Sequence, residues 1–269
     1  MPAQARSLGD HLRDWRRLRR MSQLDLAQEA EISARHLSFI ETGRSKPSRE
    51  MVLHLAESLE APPRQANAML MAAGYAPVFS EHELSDPVMG EAREMIGLML
   101  ASQSPFPAFA VDRNWDIVAS NSALPELYDG VSPELMAGPV NAMRLSLHPD
   151  GLAPRIVNFA EWREHLISRL RRQVAMTADQ GVAALLEEVA AYPMPKGSAR
   201  PTPTVDDTAV AVPFRIATSL GVLSFLSTTT VFGTPLDVTL SELALELFFA
   251  ADAATAAAVR GQPQIMAAE

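Results

Sequence analysis

The sequence contains no cysteine, and its six histidines form no close pair. The lack of cysteine excludes disulfide bonds and thiolate metal sites, and the scattered histidines show no metal-ligand spacing. Long apolar runs are also missing, since none approaches the roughly 20 residues that a membrane-spanning helix needs. Arg6 and Asp10 interrupt the apolar stretch that a signal peptide would require. We therefore predict a cytoplasmic protein that does not enter a membrane and that uses no metal or cofactor.

Positive charge is scarce over the whole chain but not over its first part. The 269 residues include 23 basic and 32 acidic side chains, for a net charge of −9. Residues 1–78 hold 11 of the basic and 9 of the acidic side chains, a net charge of +2, which leaves 12 against 23, or −11, for the remainder. The length allows two domains, and 48% hydrophobic residues suit packed cores. The uneven charge predicts a nucleic-acid partner for the first domain only.

The chain is organised around residues 22–43, SQLDLAQEAEISARHLSFIETG, which predict two short helices joined by a tight corner. Ser22, with Asp25 three residues later, predicts the start of the first helix, and Ser33 predicts the start of the second. Small Ala27 suits the point where the two helices would nearly touch. Helical spacing predicts an inward apolar face made of Leu24, Leu26, Ala30, Ile32, Leu37 and Ile40. We interpret the stretch as a helix-turn-helix.

The outward side of the second helix carries short or hydrogen-bonding side chains, which is the chemistry that reads base edges in the major groove. The predicted DNA-binding residues are Gln23, Ser33, Ala34, Arg35, His36, Ser38, Thr42, Arg44 and Lys46. Base contacts are expected from Arg35, His36 and Ser38, and phosphate contacts from Gln23, Arg44 and Lys46. The alternative is a pair of amphipathic helices that only pack against each other.

The run SQxxLAxxAxIS, followed by FIETGRSKPS, resembles the lambda-repressor-like regulators of the xenobiotic-response-element type. This resemblance implies a DNA-binding domain. Helical patterns at residues 8–20, 48–59 and 64–73 add three helices to the motif, so we predict a five-helix domain at residues 1–78. Glu31 departs from the family pattern, which often has glycine at this corner. Because a left-handed backbone would cost a non-glycine residue about 1 to 2 kcal/mol, we expect a less tight corner here.

Beyond residue 78 the sequence alternates between helical and strand patterns. A connecting helix is predicted within residues 79–104, and its methionine-rich face suits a second subunit or a cavity. Five strands are predicted at residues 108–112, 115–120, 208–216, 221–230 and 243–249. Helices are predicted at residues 121–128, 140–147, 158–179, 181–192 and 252–260, with a flexible tail at 261–269. The long helix is expected to expose Arg163, Arg169, Arg171 and Arg172 to solvent.

These patterns predict a multidomain fold of the α and α+β classes. A five-helix domain is followed, over residues 105–260, by a five-stranded antiparallel sheet with helices on one face, in a PAS-like order. The segments PFPAFAVDRNWDIVASN and NAMRLSLHPDG…EWREHL, with the terminal strands, resemble the ligand-binding domain of MmyB-like regulators. Asn141, Arg144 and Trp162 match recurring family positions, whereas the HPDG turn and TTTVFGTPLD depart from the pattern of more distant members.

The resemblance implies a bacterial transcription regulator with an apolar cavity and a fatty-acid or acyl-like effector. Residues 80–250 hold more large apolar side chains than a thin one-sheet domain needs for its core. The predicted cavity wall consists of Met95, Met99, Phe109, Trp115, Met143, Trp162, Phe214, Phe225 and Phe232. A carboxylate head group would need a cation, for which Arg144 and Arg155 are the candidates ahead of His148. Ordinary core packing is the alternative for each apolar residue.

We therefore predict a homodimer that binds a palindromic operator in double-stranded DNA and responds to a small apolar molecule. The alternative function is a regulator whose second domain binds a protein partner and no small molecule. We expect no catalytic site. His148 with Asp150, and His165 with its neighbouring glutamates at 161 and 164, come without a nucleophile or a phosphate-binding loop.

Overall fold

The computed structural model describes residues 6–195, 211–233, 235 and 237–261. The predicted tail beyond residue 261 and the predicted strand start at residues 208–210 lie outside them. The chain divides into two compact units. The first unit contains Met1–His82, Ala175–Ala178 and Thr234–Ser241, and the second contains Glu83–Val174, Asp179–Gly233 and Glu242–Glu269.

The described residues form twelve α-helices, three short 3-10 turns and five strands. The helices are α1 (Leu8–Leu18), α2 (Gln23–Glu29), α3 (Ala34–Glu41), α4 (Arg49–Ser58), α5 (Pro63–Ala72), α6 (Gly90–Ser102), α7 (Pro133–Met136), α8 (Ala142–Leu147), α9 (Phe159–Thr177), α10 (Gln180–Ala191), α11 (Val238–Ser241) and α12 (Ala253–Val259). The 3-10 turns are Pro87–Met89, Pro125–Tyr128 and Ala153–Arg155. The strands are β1 (Ala108–Val111), β2 (Ile117–Ser120), β3 (Phe214–Thr218), β4 (Gly221–Val231) and β5 (Ala244–Ala250).

The first five helices pack around one apolar core, as the sequence predicts. Its fully buried side chains include Leu12 of α1, Leu26 of α2, Leu37 of α3 and Leu55 of α4. A Cβ added to Gly9 would lie 2.0 Å from the backbone oxygen of Glu41. Only glycine therefore lets α1 pass this closely over the end of α3.

Two details of the helix-turn-helix differ from the expectation. Leu24 is 56% exposed instead of buried, because α2 turns Leu26 and Ala27 towards the core. Glu31 keeps the left-handed corner, with φ at +48°. The Ile32 N–H donates to the oxygen of Ala27 at 2.9 Å across this corner, which offsets part of the cost of the left-handed backbone.

The second unit is built on a five-stranded antiparallel sheet in the order β2-β1-β5-β4-β3, which confirms the predicted sheet. Phe109 of β1 pairs with Glu246 of β5, so both side chains point to the same face. That face also carries Phe214, Phe225 and Phe248 and packs against the main helical core.

Helix α6 covers part of the opposite face of the sheet, at β1 and β5, so the prediction of helices on one face is wrong. Ile96 and Leu100 of α6 pack against Ala108, Ala110 and Leu245. The small alanines of β1 let the helix lie close to the sheet. The predicted connecting helix is therefore part of the second unit over α6.

The predicted helix at residues 121–128 is also wrong, since only the 3-10 turn Pro125–Tyr128 forms there. The Asn121 side chain explains the loss of the first turn. Its Nδ2 donates to the oxygens of Leu100 and Phe106, and its Oδ1 accepts from the N–H of Ala108. Through these hydrogen bonds the buried Asn121 side chain connects the end of α6 to the start of β1.

Candidate functional site

The two helices of the predicted DNA-binding motif begin with side-chain caps that set their directions. Ser22 Oγ accepts from the N–H of Asp25 at 3.2 Å, and Asp25 Oδ2 accepts from the N–H of Ser22 at 2.7 Å. The hydrogen bond from the Ser22 backbone, followed by that from its side chain, lowers the pKa of Asp25. Ser33 Oγ accepts from the N–H of His36 at 3.1 Å and starts α3 in the same way.

The first turn of α3 points its predicted base-reading side chains outward. Ala34 and Arg35 are exposed, and His36 and Ser38 are half-buried. The Arg35 guanidinium carbon lies 5.3 Å from the centre of the Phe39 ring. The ring therefore provides a platform for a long cation near the helix N-terminus.

The end of α3 fixes Thr42 and leads into the basic loop. Thr42 Oγ1 donates to the oxygen of Ser38 at 2.7 Å, so its hydroxyl hydrogen is already used within the helix. Arg44 is exposed after Gly43, whose φ of +72° ends the helix. Lys46 Nζ lies 5.4 Å from the centre of the Tyr75 ring.

Gln23 takes part in a buried polar cluster that sequence reasoning missed. Gln23 Nε2 donates to Glu41 Oε2 at 2.7 Å, and Arg16 Nε donates to Glu41 Oε1 at 3.0 Å. Because the three residues come from α2, α3 and α1, the cluster joins all three helices. Because the Gln23 amide carries two N–H groups, one hydrogen bond to Glu41 does not use its full donor capacity.

The second unit contains a largely apolar cavity of about 60 Å³ between the sheet and the helices. Five of the predicted wall residues line it: Phe109, Trp115, Met143, Trp162 and Phe214. The other lining residues are Ile117, Leu124, Leu127, Tyr128, Ala142, Leu145, Ser146, Leu152, Leu166, Arg169, Glu246 and Phe248.

Four other predicted wall residues lie elsewhere, which corrects their assignment to the wall. Met95 is 46% exposed on α6. Met99 and Phe232 pack against the cluster on the opposite face of the sheet. Phe225 is buried, but it sits behind the wall against Phe248, at 6.2 Å between ring centres.

The two predicted head-group cations do not line the cavity either. Arg144 is held away by Glu188, with Nε to Oε1 and Nη2 to Oε2 both at 2.8 Å. This hydrogen-bonded pairing raises the pKa of Arg144 and lowers that of Glu188. Arg155 Nε donates to the backbone oxygen of Ala217 at 3.0 Å, and its Nη1 donates to that of Leu127 at 3.0 Å. Both arginines therefore brace elements of the fold.

The cation that does line the cavity is Arg169, although the helical pattern predicts that its side chain is exposed to solvent. It forms an ion pair with Glu246, with Nη2 to Oε1 at 2.6 Å and Nη1 to Oε2 at 3.2 Å. The pair is nearly enclosed, with side-chain exposures of 16% and 3%. Trp162, Leu166 and Arg169 are spaced so that they lie on one face of α9. This spacing in the sequence could have indicated that Arg169 points towards the core.

Two tryptophans of the cavity wall are held by hydrogen bonds, and one of them also contacts Arg169. The Arg169 guanidinium carbon lies 4.7 Å from the centre of the Trp115 ring, and Trp115 Nε1 donates to Gln173 Oε1 at 2.7 Å. Trp115 has a φ of +68°, an uncommon conformation for a bulky residue. Trp162 Nε1 donates to Ser146 Oγ at 2.9 Å. These bonds hold both rings in fixed orientations.

The histidines considered as catalytic groups have structural contacts. The N–H of Asp150 donates to His148 Nδ1 at 3.1 Å, within the turn. His165 stacks on Trp162 at 5.3 Å between ring centres. Burial, and then the nearby arginines at 169 and 172, lower the pKa of His165. Within the described ranges, no cluster of three or more acidic or histidine side chains has the geometry of a metal site.

Residues 92–261 match the sequence pattern of the MmyB-like transcription regulator ligand binding domain. Residues 7–69 match a helix-turn-helix domain. Among proteins with curated descriptions, none matches the chain. No helix in the part of the chain that the structure describes is both long and apolar enough to cross a membrane.

Proposed function

The chain belongs to the family of MmyB-like transcription regulators, and we propose that it binds a palindromic operator as a homodimer, with an affinity that a small apolar effector changes. The observation that carries the DNA-binding part is the outward first turn of α3, where Arg35 stands exposed beside a capped helix N-terminus. A DNA-binding transcription regulator acts on the chromosome, so we place it in the bacterial cytoplasm.

In this proposal α3 enters the major groove and its first turn contacts bases. Arg35 is suited to guanine, whose two acceptors match the guanidinium fork. Gln23, Arg44 and Lys46 hold phosphates on either side and set the register. Glu41 supports this arrangement because it orients Gln23 before DNA arrives.

We propose a homodimer because the helix-turn-helix of one chain is large enough to contact only a single half-site of the operator. Two copies would then meet successive major grooves about 34 Å apart. The 3-10 turn Pro87–Met89 and helix α6 offer apolar side chains for the contact, since Val88 of the turn and Met95 and Leu98 of α6 are exposed. An exposed apolar group of this kind is typical of a protein interface.

The proposed effector is a fatty-acid or acyl-like molecule in the cavity of the second unit. The supporting observation is the apolar lining, with Trp115, Trp162 and Phe214 around it. The volume of about 60 Å³ is below the usual range of ligand sites, so side chains must move apart on binding. The effector changes DNA affinity only if it binds two arrangements of the protein unequally.

The test combines selection of bound sequences from random duplex DNA with sedimentation of the complex. We expect an inverted repeat, two protein chains on each duplex, and a small molecule that mass spectrometry recovers from a solvent extract of the purified protein. A single unrepeated site bound by one chain would overturn the homodimer. An extract without any ligand, together with melting curves that no acyl compound changes, would leave the second unit as a protein-binding module.

A further inference from the structure

We infer that the cavity selects a ligand whose polar end is uncharged, such as an amide, an ester or an alcohol of an acyl chain, in preference to a free carboxylate. This inference rests on the proposed function, since it takes the cavity to be the effector site. It concerns the polar end of the cavity, where Arg169 and Glu246 interrupt the apolar wall.

The charge of Arg169 is already neutralised inside the protein. Both of its terminal nitrogens donate to Glu246, and Nη2 also donates to Thr229 Oγ1 at 2.9 Å. Thr229 Oγ1 in turn donates to Glu246 Oε1 at 2.8 Å and closes the cluster. One face of the guanidinium is covered by Trp115. The cluster therefore presents no uncompensated positive charge to a ligand.

A carboxylate would bring a third charge into this enclosed site. It would either compete with Glu246 for Arg169 or lie beside Glu246 as a like charge. In both cases one carboxylate would lose its partner in surroundings that are nearly closed to water, because Glu246 is only 3% exposed. Among the described residues that line the cavity, Arg169 is the one cation. No second positive charge in the lining can therefore pair with the added carboxylate.

Neutral hydrogen-bonding groups, by contrast, are available in the same wall. Tyr128 lines the cavity, and its hydroxyl has no hydrogen-bond partner among the residues that the structure describes. Burial raises the pKa of Tyr128 to about 12, so it remains a neutral group that can donate or accept. Ser146 Oγ accepts from Trp162 and keeps its own hydrogen for donation. An amide or ester oxygen can accept from a hydroxyl of this kind without adding charge.

The first experiment compares three probes of one chain length on the full-length protein: decanoic acid, decanamide and methyl decanoate, all below their micelle concentrations. Of the three tryptophans, Trp115 and Trp162 line the cavity, so intrinsic fluorescence reports its occupation. We expect decanamide to bind at least about tenfold more tightly than decanoate near neutral pH. Equal or tighter binding of decanoate would overturn the inference while leaving the proposed effector site intact. If none of the probes binds to protein that still binds DNA, both the effector site and the inference fail.

The second experiment removes the counter-charge. Glu246→Gln keeps an oxygen for Arg169 and Thr229 but leaves the guanidinium unneutralised, so the preference should move towards decanoate by about tenfold or more. The matched control is Glu188→Gln, which removes the partner of Arg144 away from the cavity and should keep the wild-type preference. An unchanged preference in folded Glu246→Gln would overturn the charge argument.

If Glu246→Gln does not fold, Tyr128→Phe tests the neutral group. It should weaken decanamide binding about fivefold or more, because an available donor is lost. Tyr192→Phe is its control, since the Tyr192 hydroxyl bonds to Glu188 and not to the cavity. Equal effects of the two substitutions would overturn the inference.

Discussion

Arg16 and Glu41 form an ion pair that links α1 to α3, with Nε to Oε1 at 3.0 Å and side-chain exposures of 14% and 2%. Glu41 also accepts from Gln23, so one buried carboxylate satisfies donors from two other helices. Removal of its charge leaves Arg16 buried without compensation. The position of α3 against the other two helices therefore depends on this residue.

We predict that Glu41→Gln destabilises the first unit by about 3 kcal/mol, because a broken buried pair leaves one charge unmatched. Denaturant unfolding followed by Trp15 fluorescence measures the change. The control is Asp14→Asn, which removes the partner of Arg6 from an exposed pair and should cost at most about 1 kcal/mol. If both variants lost the same free energy of unfolding, the buried ion pair would contribute no more to stability than the exposed one.

Arg35→Ala should relax sequence specificity at one position of each half-site. The reason is that a bidentate contact to guanine contributes about 1 to 3 kcal/mol of discrimination against the wrong base. Binding to a set of single-base operator variants measures it, with Arg171→Ala in the second unit as a control that should bind like the wild type. A uniform loss of affinity for every sequence would mean that Arg35 contacts a phosphate instead.

The sequence predicted well what depends on neighbours in the chain. Ser22 and Asp25 are three residues apart, so their mutual caps can be read directly, and the alternation of β5 follows the pleat of the sheet. The inward position of Arg169 was missed because its partner Glu246 lies 77 residues away in sequence. A charged residue on a helix is predicted to be exposed to solvent unless its oppositely charged partner on a distant strand is known.

The cavity shows the same limit. The aromatic residues Phe109 and Phe214 could be assigned to its wall, since inward strand positions follow the period of two. Phe225 shares that face but is separated from the cavity by its neighbours, which only the packing reveals. The helical pattern at Asn121 failed for a related reason, since its side chain bonds to distant backbone groups instead of capping a helix.

Neutralising Arg44 and Lys46 together, as Arg44→Gln with Lys46→Gln, should flatten the salt dependence of operator binding. Each phosphate contact contributes about 0.9 to the slope of log affinity against log salt concentration, so the pair should remove about 2. A double variant that replaces Arg171 and Arg172 with glutamine controls for the change in net charge. An unchanged slope would remove the loop from the DNA interface.

Stability of the second unit should fall as the pH drops below about 6.5, in part because of His165. Burial and the arginines at 169 and 172 lower its pKa, while Glu246 and Glu161 act more weakly in the opposite direction. The unfolded chain therefore binds more protons here, so the contribution is present above about 6.5 and is lost below it.

The measurement is denaturant unfolding at about pH 7.5 and about pH 5.5. His165→Asn should reduce the loss on acidification, as reported by the tryptophans of the second unit. Burial likewise lowers the pKa of His11, so His11→Asn should act on the first unit alone and serves as the matched comparison. If His165→Asn lost as much stability as the wild type, the histidine would not be the sensing group.

Filling the cavity should separate effector binding from DNA binding. Ala142 lines the cavity at the start of α8, and its N–H donates to the oxygen of Trp115 at 2.8 Å, a bond that a new side chain leaves intact. Ala142→Leu adds three carbons, which occupy much of the available volume, and leucine suits a helix.

Decanamide at about 100 times its dissociation constant should stabilise the wild type by about 2.7 kcal/mol and should not stabilise this variant. Ala184→Leu on the exposed side of α10 is the control and should respond like the wild type. Without ligand, both variants should bind operator DNA as the wild type does, because neither changes the first unit. A response of Ala142→Leu equal to that of the wild type would place the effector outside this cavity.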